Sequence, residues 1–499
     1  MNYSKKILAF GAAALAISTL NVAAPVAAQS KAKVTTPKPF SAKEKAEGAK
    51  YHPEILKEFG EPMQSPQTAY VVRVGKNIAL QSGLGNAESD FNVTLLNSSV
   101  NNAFAIPGGY VYITRQLVAL CNSEAEMAGV LGHEVGHTAA RHSKKRQKNS
   151  TIASILGAGG TILGAVLGDS GGLAGILGSG LKQYSGTFAQ LFSLSYSRGQ
   201  EEQADDYGIR YLSKAGYDAT ALSSMLNSLA MQTAVDARVA GQSGGAAIPE
   251  WASTHPDPAK RVVRAATNAK AYPVSTIRKS DTHFAAINGM LYGDDPAQGV
   301  VEGQDFLHRD IKLKFTVPTG FGMQNGTQAV SINGNGGQAI FTQGAFNGDR
   351  QAYVAAAFKS VSGDQQTVTP GPINQTTVNG IPAFYSTAVV TTQQGQRELT
   401  VFAYEWAANT AYHFVTVSAA NARPFNIMFQ SMSRLNATQI AAIKARKVKV
   451  VTVAKGESVA SLAAKMAYTS LQTERFLALN GLSGSATIAS GQKVKIVTY

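Results

Sequence analysis

Met127, Val130 and Leu131 recur at the three-to-four-residue spacing of one helical face, behind Ser123-Glu124-Ala125-Glu126, which has the form of a capping box. Basic residues gather at the far end (Arg141, Lys144, Lys145, Arg146), where a helix dipole favours them. This pattern predicts a helix from Glu124 to Arg146. Residues 102–106 instead alternate like a strand and stop at Pro107-Gly108-Gly109. Another helix is expected after Tyr196, running to Lys214 and stopped by Gly216. Beyond about residue 275 the texture changes. Residues 305–420 hold short alternating runs such as Leu313-Lys314-Phe315-Thr316-Val317, Ala339-Ile340-Phe341, Tyr353-Val354 and Tyr412–Val417. Turns such as Asn333–Gly337 and Asn347-Gly348 separate them, which predicts an antiparallel β region. Residues 424–445 read as helical, and within the last fifty residues Val459–Ala467 is helix-like.

The first 28 residues change the picture of where this chain works. Lys5 and Lys6 precede an apolar stretch from Ile7 to Leu20, and Pro25-Val26-Ala27-Ala28 supplies small residues at its exit. This is the form of a secretory signal peptide cut after Ala28, and a periplasmic protein is expected. Gln29 rather than Cys follows, so no lipoprotein anchor is expected. The formal charge of +14 falls by two when Lys5 and Lys6 leave. A basic surface in that compartment suits anionic envelope material, and no nucleic-acid motif is present. Cys121 is the sole cysteine, so the fold rests on its core without an intramolecular disulfide. The uncharged runs Thr151–Gly168 and Gly171–Leu181 are read as a glycine-rich flap over residues 150–182, with peripheral membrane contact left open.

The chemistry is concentrated in His133-Glu134-Val135-Gly136-His137. Two histidines four apart on a helix share a face and can share a metal ion, and the glutamate between them is placed to work on a water. Val135 and Gly136 are small enough to let another element approach. Ala140 and Ser143 stand where a HExxHxxGxxH pattern needs glycine and a third histidine, so that class is excluded. His142, five residues past His137, falls on another face of a straight helix and reads as a packing or capping residue. Downstream, Glu201 and Asp205 are four apart on one helical face. That pair is either a solvated charged face or a ligand with a carboxylate behind it that orients a ligating histidine. His283, His308 and His413 are scattered and read as structural.

Here a resemblance becomes specific. The run Asn102–Tyr112, the HEVGH pentapeptide, the segment Ser197-Arg198…Glu201…Ala204-Asp205…Gly208, and Thr254-His255-Pro256 follow one another as in the HtpX-like and CAAX-prenyl-protease-like zinc metallopeptidases. The resemblance implies a gluzincin fold over residues 69–275 with one zinc held by His133, His137 and Glu201. It further implies Glu134 as general base, Asp205 behind the ligands, and His255 near the metal as oxyanion donor or extra ligand. Arg261 is the other candidate oxyanion donor. In that family the strand at 102–106 edges the cleft, where an extended substrate would add to it. The last fifty residues resemble a LysM module, the small βααβ domain that binds peptidoglycan or chitin.

The expected architecture is therefore α+β and multidomain. A signal peptide (1–28) and an N-terminal linker or helix (29–68) lead into a mainly helical peptidase domain with a small edge-strand sheet (69–275). A linker (276–304), a β-rich accessory domain (305–445) and a LysM-like domain (446–499) follow. The expected activity is zinc-dependent endopeptidase action on unfolded or misassembled envelope proteins. The other readings are a latent, chaperone-like peptidoglycan-binding protein and a hydrolase of cell-wall peptides.

Overall fold

A computed structural model describes residues 37–499 except 87, 144–195, 243–254, 256, 328, 335, 363–367 and 393–394. The signal-peptide reading (1–28) and the flap reading (150–182) lie outside the described residues. Through residue 287 the chain forms α1 (Ala42–Phe59), α2 (Pro66–Leu80), β1 (Asn92–Leu96), β2 (Ala103–Ile106), β3 (Tyr110–Thr114) and α3 (Arg115–Leu120). It continues through α4 (Glu124–Ala139), α5 (Arg198–Lys214), α6 (Ala221–Gln242), α7 (Pro258–Ala269) and α8 (Ser280–Ile287). β3 lies between β1, to which it is parallel, and β2, to which it is antiparallel, so the strand at 103–106 is an edge of its sheet.

Helix α4 starts where its capping residues predict. Ser123 Oγ accepts from the Glu126 amide at 3.1 Å, but Glu126 does not close the box onto Ser123; its carboxylate accepts from the Asn122 amide at 2.7 Å. Glu124, buried in the first turn, accepts from Tyr217 Oη at 2.6 Å, Arg73 at 2.8 Å and Lys279 at 3.0 Å. The helix stops at Ala139 rather than at Arg146. Arg141 takes a left-handed φ of 51°, and its guanidinium reaches Glu44 at 3.2 Å and the Lys38 carbonyl at 2.9 Å. Those side-chain bonds hold a turn that the charge pattern, consistent with a longer helix, did not reveal.

Helix α4 crosses α5 with almost no side chain between them. A Cβ at Gly136 would lie 2.8 Å from Tyr207 Cβ and 3.0 Å from the Ala204 carbonyl, and one at Gly208 would lie 3.1 Å from the His133 nitrogen. A side chain at Gly136 would force a shift of the facing helix, and one at Gly208 would need the His133 backbone to give by a few tenths of an ångström. Helix α5 carries a full capping box between Ser197 and Gln200 and ends before Gly216, which adopts φ 81°.

The β-rich part is antiparallel, as expected. One sheet has the spatial order β10 (Asn374–Val378), β11 (Ile381–Thr392), β12 (Gly395–Ala407), β13 (Thr410–Ala419), β9 (Gly337–Ala345), β8 (Val330–Gly334) and β7 (Phe321–Asn325). A second holds β14 (Ser433–Arg434), β6 (Leu313–Thr316), β5 (Asp305–His308) and β4 (Val300–Glu302). Alternate residues of β12 enter opposite cores: Phe402, Tyr404 and Trp406 face Phe315 and Phe429, while Leu399, Val401 and Ala403 face Val354 and Phe358. Tyr353-Val354, read as a strand, lies in a helix, α9 (Arg350–Ser362), which covers that second face. The stretch 424–445 is not one helix; it holds α10 (Asn426–Ser431), β14 and α11 (Ala437–Ala442).

The tail forms β15 (Lys447–Thr452), α12 (Val459–Ala463), α13 (Gln472–Asn480) and β16 (Lys493–Thr498), a βααβ unit. It shares the core of the helical domain. Val448, Phe476, Leu479, Val494 and Ile496 lie in one apolar cluster with Leu117, Leu120, Leu226 and Leu229. Residues 276–304, expected to be a linker, supply α8 with buried His283, Phe284 and Ile287, and then pair with the tail. The Gly289 amide donates to the Val448 carbonyl at 2.8 Å, and the Val448 amide to the Met290 carbonyl at 2.9 Å. Lys495 is fully buried, and its ammonium donates to the carbonyls of Ala119, Leu120 and Cys121 at 2.7, 3.0 and 2.6 Å. These are carbonyls that a helix end leaves without partners. Cys121 itself is buried, and burial pushes its thiol up, away from nucleophilic character. No described helix is long and apolar enough to cross a membrane.

Replacing Lys495 by Met takes a donor from three buried carbonyls. Leu120 keeps Asn122 Nδ2 at 3.2 Å and Cys121 keeps His283 Nε2 at 3.0 Å, so Ala119 is the one left without this donor, and the loss is expected to be about 1–3 kcal/mol. Urea denaturation followed by circular dichroism checks it: the unfolding midpoint of the helical domain should fall, although Lys495 belongs to the tail.

Candidate metal centre

The α4–α5 crossing sets His133 and His137, one turn apart, against Glu201 and Asp205, also one turn apart. His255 arrives from the chain just before α7, and Arg261 from α7 itself. His133 Nε2 and His137 Nε2 are 3.0 Å apart. Glu201 lies 3.3 Å from His137 Nε2 and 3.6 Å from His133 Nε2. His255 Nδ1 is 3.1 Å from Glu201 Oε1 and 3.4 Å from His133 Nε2. One potential ligand atom from each of His133, His137, Glu201 and His255 lies within 4.8 Å of the others, and all four residues are buried.

Around this cluster stands a second layer. Asp205 Oδ1 is 3.0 Å from His133 Nδ1, the nitrogen that faces away from the cluster. Arg261 donates Nε to Asp205 Oδ2 at 2.9 Å and Nη2 to Asp205 Oδ1 at 2.6 Å, and Nη1 to Glu201 Oε2. Its donors thus point at carboxylates. Tyr196 stacks on His137 with ring centroids 3.7 Å apart. His142 does not point to another face. The left-handed Arg141 turns it back, so that its Nδ1 sits 2.9 Å from His137 Nδ1 and its Nε2 2.9 Å from Gln203 Oε1. Neither Tyr196 nor Gln203 stood out as a site residue in the sequence. Their nearness to the Ser197 cap and to Glu201 was the available signal.

The electrostatics follow from burial and one cation. Burial, then the charge of Glu201, pushes the Glu134 carboxyl well above the usual carboxylate range, with Arg261 offsetting them only in part. Burial would raise Glu201 as well, but His255, Arg261 and His137 outweigh it and hold that carboxyl well below its ordinary value. Asp205 is likewise held low, Arg261 overcoming burial. Burial lowers the imidazoles of His137 and His255, which keeps them neutral, the form that ligates a metal.

These residues fit a divalent zinc. Three imidazoles and a carboxylate are a borderline-soft donor set of the zinc type. Glu134, Glu201 and Asp205 face a single guanidinium, so full ionisation leaves an excess of two negative charges for a dication to balance. Glu134 Oε1 is buried without a hydrogen-bond partner, 3.6 Å from His255 Nε2. A carboxylate oxygen held in that way is free to take a proton from a water or a substrate.

Arg261→Leu leaves Glu201 and Asp205 buried without their cation, and a loss of about 3–5 kcal/mol is expected. Thermal unfolding of the metal-free protein checks this. Arg261→Lys, which keeps the charge but not the planar fork, should fall between the two.

Comparison with known proteins agrees with this geometry. Residues 65–269 match the model of peptidase family M48, and residues 451–497 match that of the LysM domain. The beta-barrel assembly-enhancing protease of Yersinia pestis is 29% identical over 235 residues, which are 46% of this chain and 44% of that protein. The Escherichia coli protein of the same name is 28% identical over 222 residues, 44% of this chain and 42% of its own. The mitochondrial metalloendopeptidase OMA1 of Schizosaccharomyces pombe is 31% identical over 212 residues, 42% of this chain and 56% of its own. The chain thus spans less than half the length of the bacterial relatives named here. Residues 65–269 are therefore similar to M48 zinc metallopeptidases, and residues 451–497 to a LysM domain.

Proposed function

We propose that the protein is an exported zinc-dependent endopeptidase that works on unfolded or misassembled proteins of the bacterial envelope. The observation that carries this reading is the convergence of His133, His137, Glu201 and His255 around the orphaned carboxyl oxygen of Glu134. His133, His137 and Glu201 would hold one zinc ion. Zinc bound there supplies a Lewis acid for a peptide carbonyl and lowers the pKa of a water. Glu134 takes the proton of the attacking water and returns it to the leaving amine. Its raised carboxyl suits both halves of that exchange. Asp205 holds His133 in the tautomer that offers Nε2, and Arg261 holds Asp205 and Glu201 in place. His255, which converges on the same point, would either hold the zinc as a further ligand or donate to the developing oxyanion.

An extended peptide would add to β2, the sheet edge beside α4, through main-chain hydrogen bonds. The LysM-like tail would bring the enzyme to peptidoglycan, and a basic surface would favour anionic envelope material. The name shared by the Yersinia and Escherichia relatives, which refers to β-barrel assembly, supports an envelope protein as substrate. A latent, chaperone-like role is the second reading, favoured by a four-residue donor set in which His255 leaves no open position.

The test is digestion of casein by the protein lacking residues 1–28, beside Glu134→Gln, with zinc content measured for both. Cleavage by the first and not by the second, both holding zinc, is the expected result, with a difference in rate of about 10²–10⁴-fold, the range general-base loss produces. Zinc in both and cleavage by neither favours the latent reading. Release of soluble fragments from purified wall, without casein cleavage, would move the substrate to peptidoglycan peptides.

A further inference from the structure

We infer that His142 is a positioning residue for the metal centre: it fixes the tautomer and ring orientation of His137 through a hydrogen-bonded chain that ends on Gln203. The inference rests on the metal-binding reading of the His133–His137–Glu201 cluster, but not on proteolysis.

The chain is built from three side chains: His137 on α4, His142 beyond the turn that ends α4, and Gln203 on α5. His137 Nε2 faces the cluster, 3.0 Å from His133 Nε2. Its other nitrogen, Nδ1, faces His142 Nδ1 at 2.9 Å. His142 Nε2 in turn faces Gln203 Oε1 at 2.9 Å. When His137 gives its Nε2 lone pair to a metal, its one remaining hydrogen is on Nδ1. His142 Nδ1 must then accept, so the single hydrogen of a neutral His142 sits on Nε2 and goes to Gln203 Oε1. Each link has one donor and one acceptor. The opposite tautomer of His142 would set two N–H groups against each other at His137 and two acceptors against each other at Gln203.

The surroundings fix this arrangement. His142 is fully buried. The left-handed Arg141, tied to Glu44 and to the Lys38 carbonyl, swings the chain so that residue 142 returns to its own helix. Gln203 is two residues beyond Glu201 on α5, so one helix supplies both a ligand and the end of the chain that orients a second ligand. Tyr196 covers the His137 ring at 3.7 Å and restrains its tilt. The two metal-facing histidines of α4 are thus oriented differently: His133 by the charged Asp205 and its Arg261, His137 by a neutral imidazole and an amide. Partners of this kind are worth about 10–100-fold in metal affinity.

The experiment is competitive zinc titration of the purified protein against a chelator, for wild type and for His142→Phe, His142→Asn and Gln203→Met. The phenylalanine keeps the volume of the ring and removes the acceptor. The asparagine places Oδ1 where Nδ1 was. We expect the zinc Kd to rise about 10–100-fold for His142→Phe, to return most of the way for His142→Asn, and to rise by less for Gln203→Met. Melting of the metal-free proteins is measured alongside, and the order of zinc affinities should not follow the order of melting temperatures. Equal zinc affinity for wild type and His142→Phe overturns the inference, as does equal loss in the Phe and Asn variants. A phenylalanine variant that fails to fold leaves the decision to His142→Asn and Gln203→Met, in which an Asn loss larger than the Gln203 loss overturns it. Wild type that binds no zinc overturns this inference and the metal reading together, whereas wild type that binds zinc without cutting casein removes the peptidase reading alone.

Discussion

The whole site depends on how closely α4 approaches α5. Two helices with ordinary side chains between them keep their axes about 8–10 Å apart, and glycine at the contact lets two backbones come closer. Here Gly136 packs against Ala204 and Tyr207, and Gly208 against the backbone of His133. The approach lets short, stiff imidazoles on one helix and a carboxylate on the other meet. It also sets Asp205 against the back of His133 and Gln203 near His142. A methyl group at Gly136 would force the helices apart and disturb ligands and their supports at the same time. The glycine between the two histidines therefore does as much for the site as the histidines themselves.

Bringing carboxylates so close creates the second constraint. Glu134, Glu201 and Asp205 are buried within one small volume, where like charges repel strongly and desolvation penalises each. Arg261 answers for two of them, which is why Glu201 and Asp205 are held in the charged form while Glu134 is pushed the other way. The division of labour among three similar side chains thus comes from where one guanidinium points. Asp205 and Glu201 are fixed and ionised, suited to holding; Glu134 is orphaned and proton-seeking, suited to exchange. Sequence position alone gives no such ranking.

Much of this was legible in the chain. HEVGH, Glu201, Asp205, the Ser123 cap and the Gly216 stop are local signals, set by residues within a turn of one another, and each sits where its pattern indicates. The misreadings share one cause, contacts between residues far apart. Helix α4 stops early because Arg141 bonds to residues about a hundred positions away. On a straight helix His142 falls on another face; the left-handed turn at Arg141 brings it back to His137. Tyr353-Val354 has the composition of a strand, but it lies in a helix whose apolar side covers the large sheet. The stretch at 276–304 is polar enough to resemble a linker, yet its backbone pairs with β15, which a residue-by-residue reading cannot foresee.

The tail shows how far such long-range pairing reaches. A βααβ module on a flexible tether would sample orientations independently of the domain it follows. This one buries its apolar residues in the helical core, pairs a strand with residues 289–290, and caps α3 through Lys495. Cys121, one of the three carbonyls that Lys495 holds, lies two residues before Ser123, the cap of the helix that carries His133 and His137. His283 Nε2 meets the same Cys121 carbonyl at 3.0 Å, so α8 and the tail converge on the start of the helix that carries the histidine pair. A module joined in this way cannot swing without breaking buried hydrogen bonds, and anything it binds is held at a fixed bearing to Glu134. The β-rich part has apolar cores of its own on both faces of its large sheet and is joined to the rest through polar contacts: Arg446, just before β15, pairs with Glu302 of β4 at 2.7 Å, and Thr327 Oγ1 donates to the Lys57 carbonyl at 3.4 Å. Of the two accessory parts, the smaller is therefore the one that shares the apolar core of the helical domain.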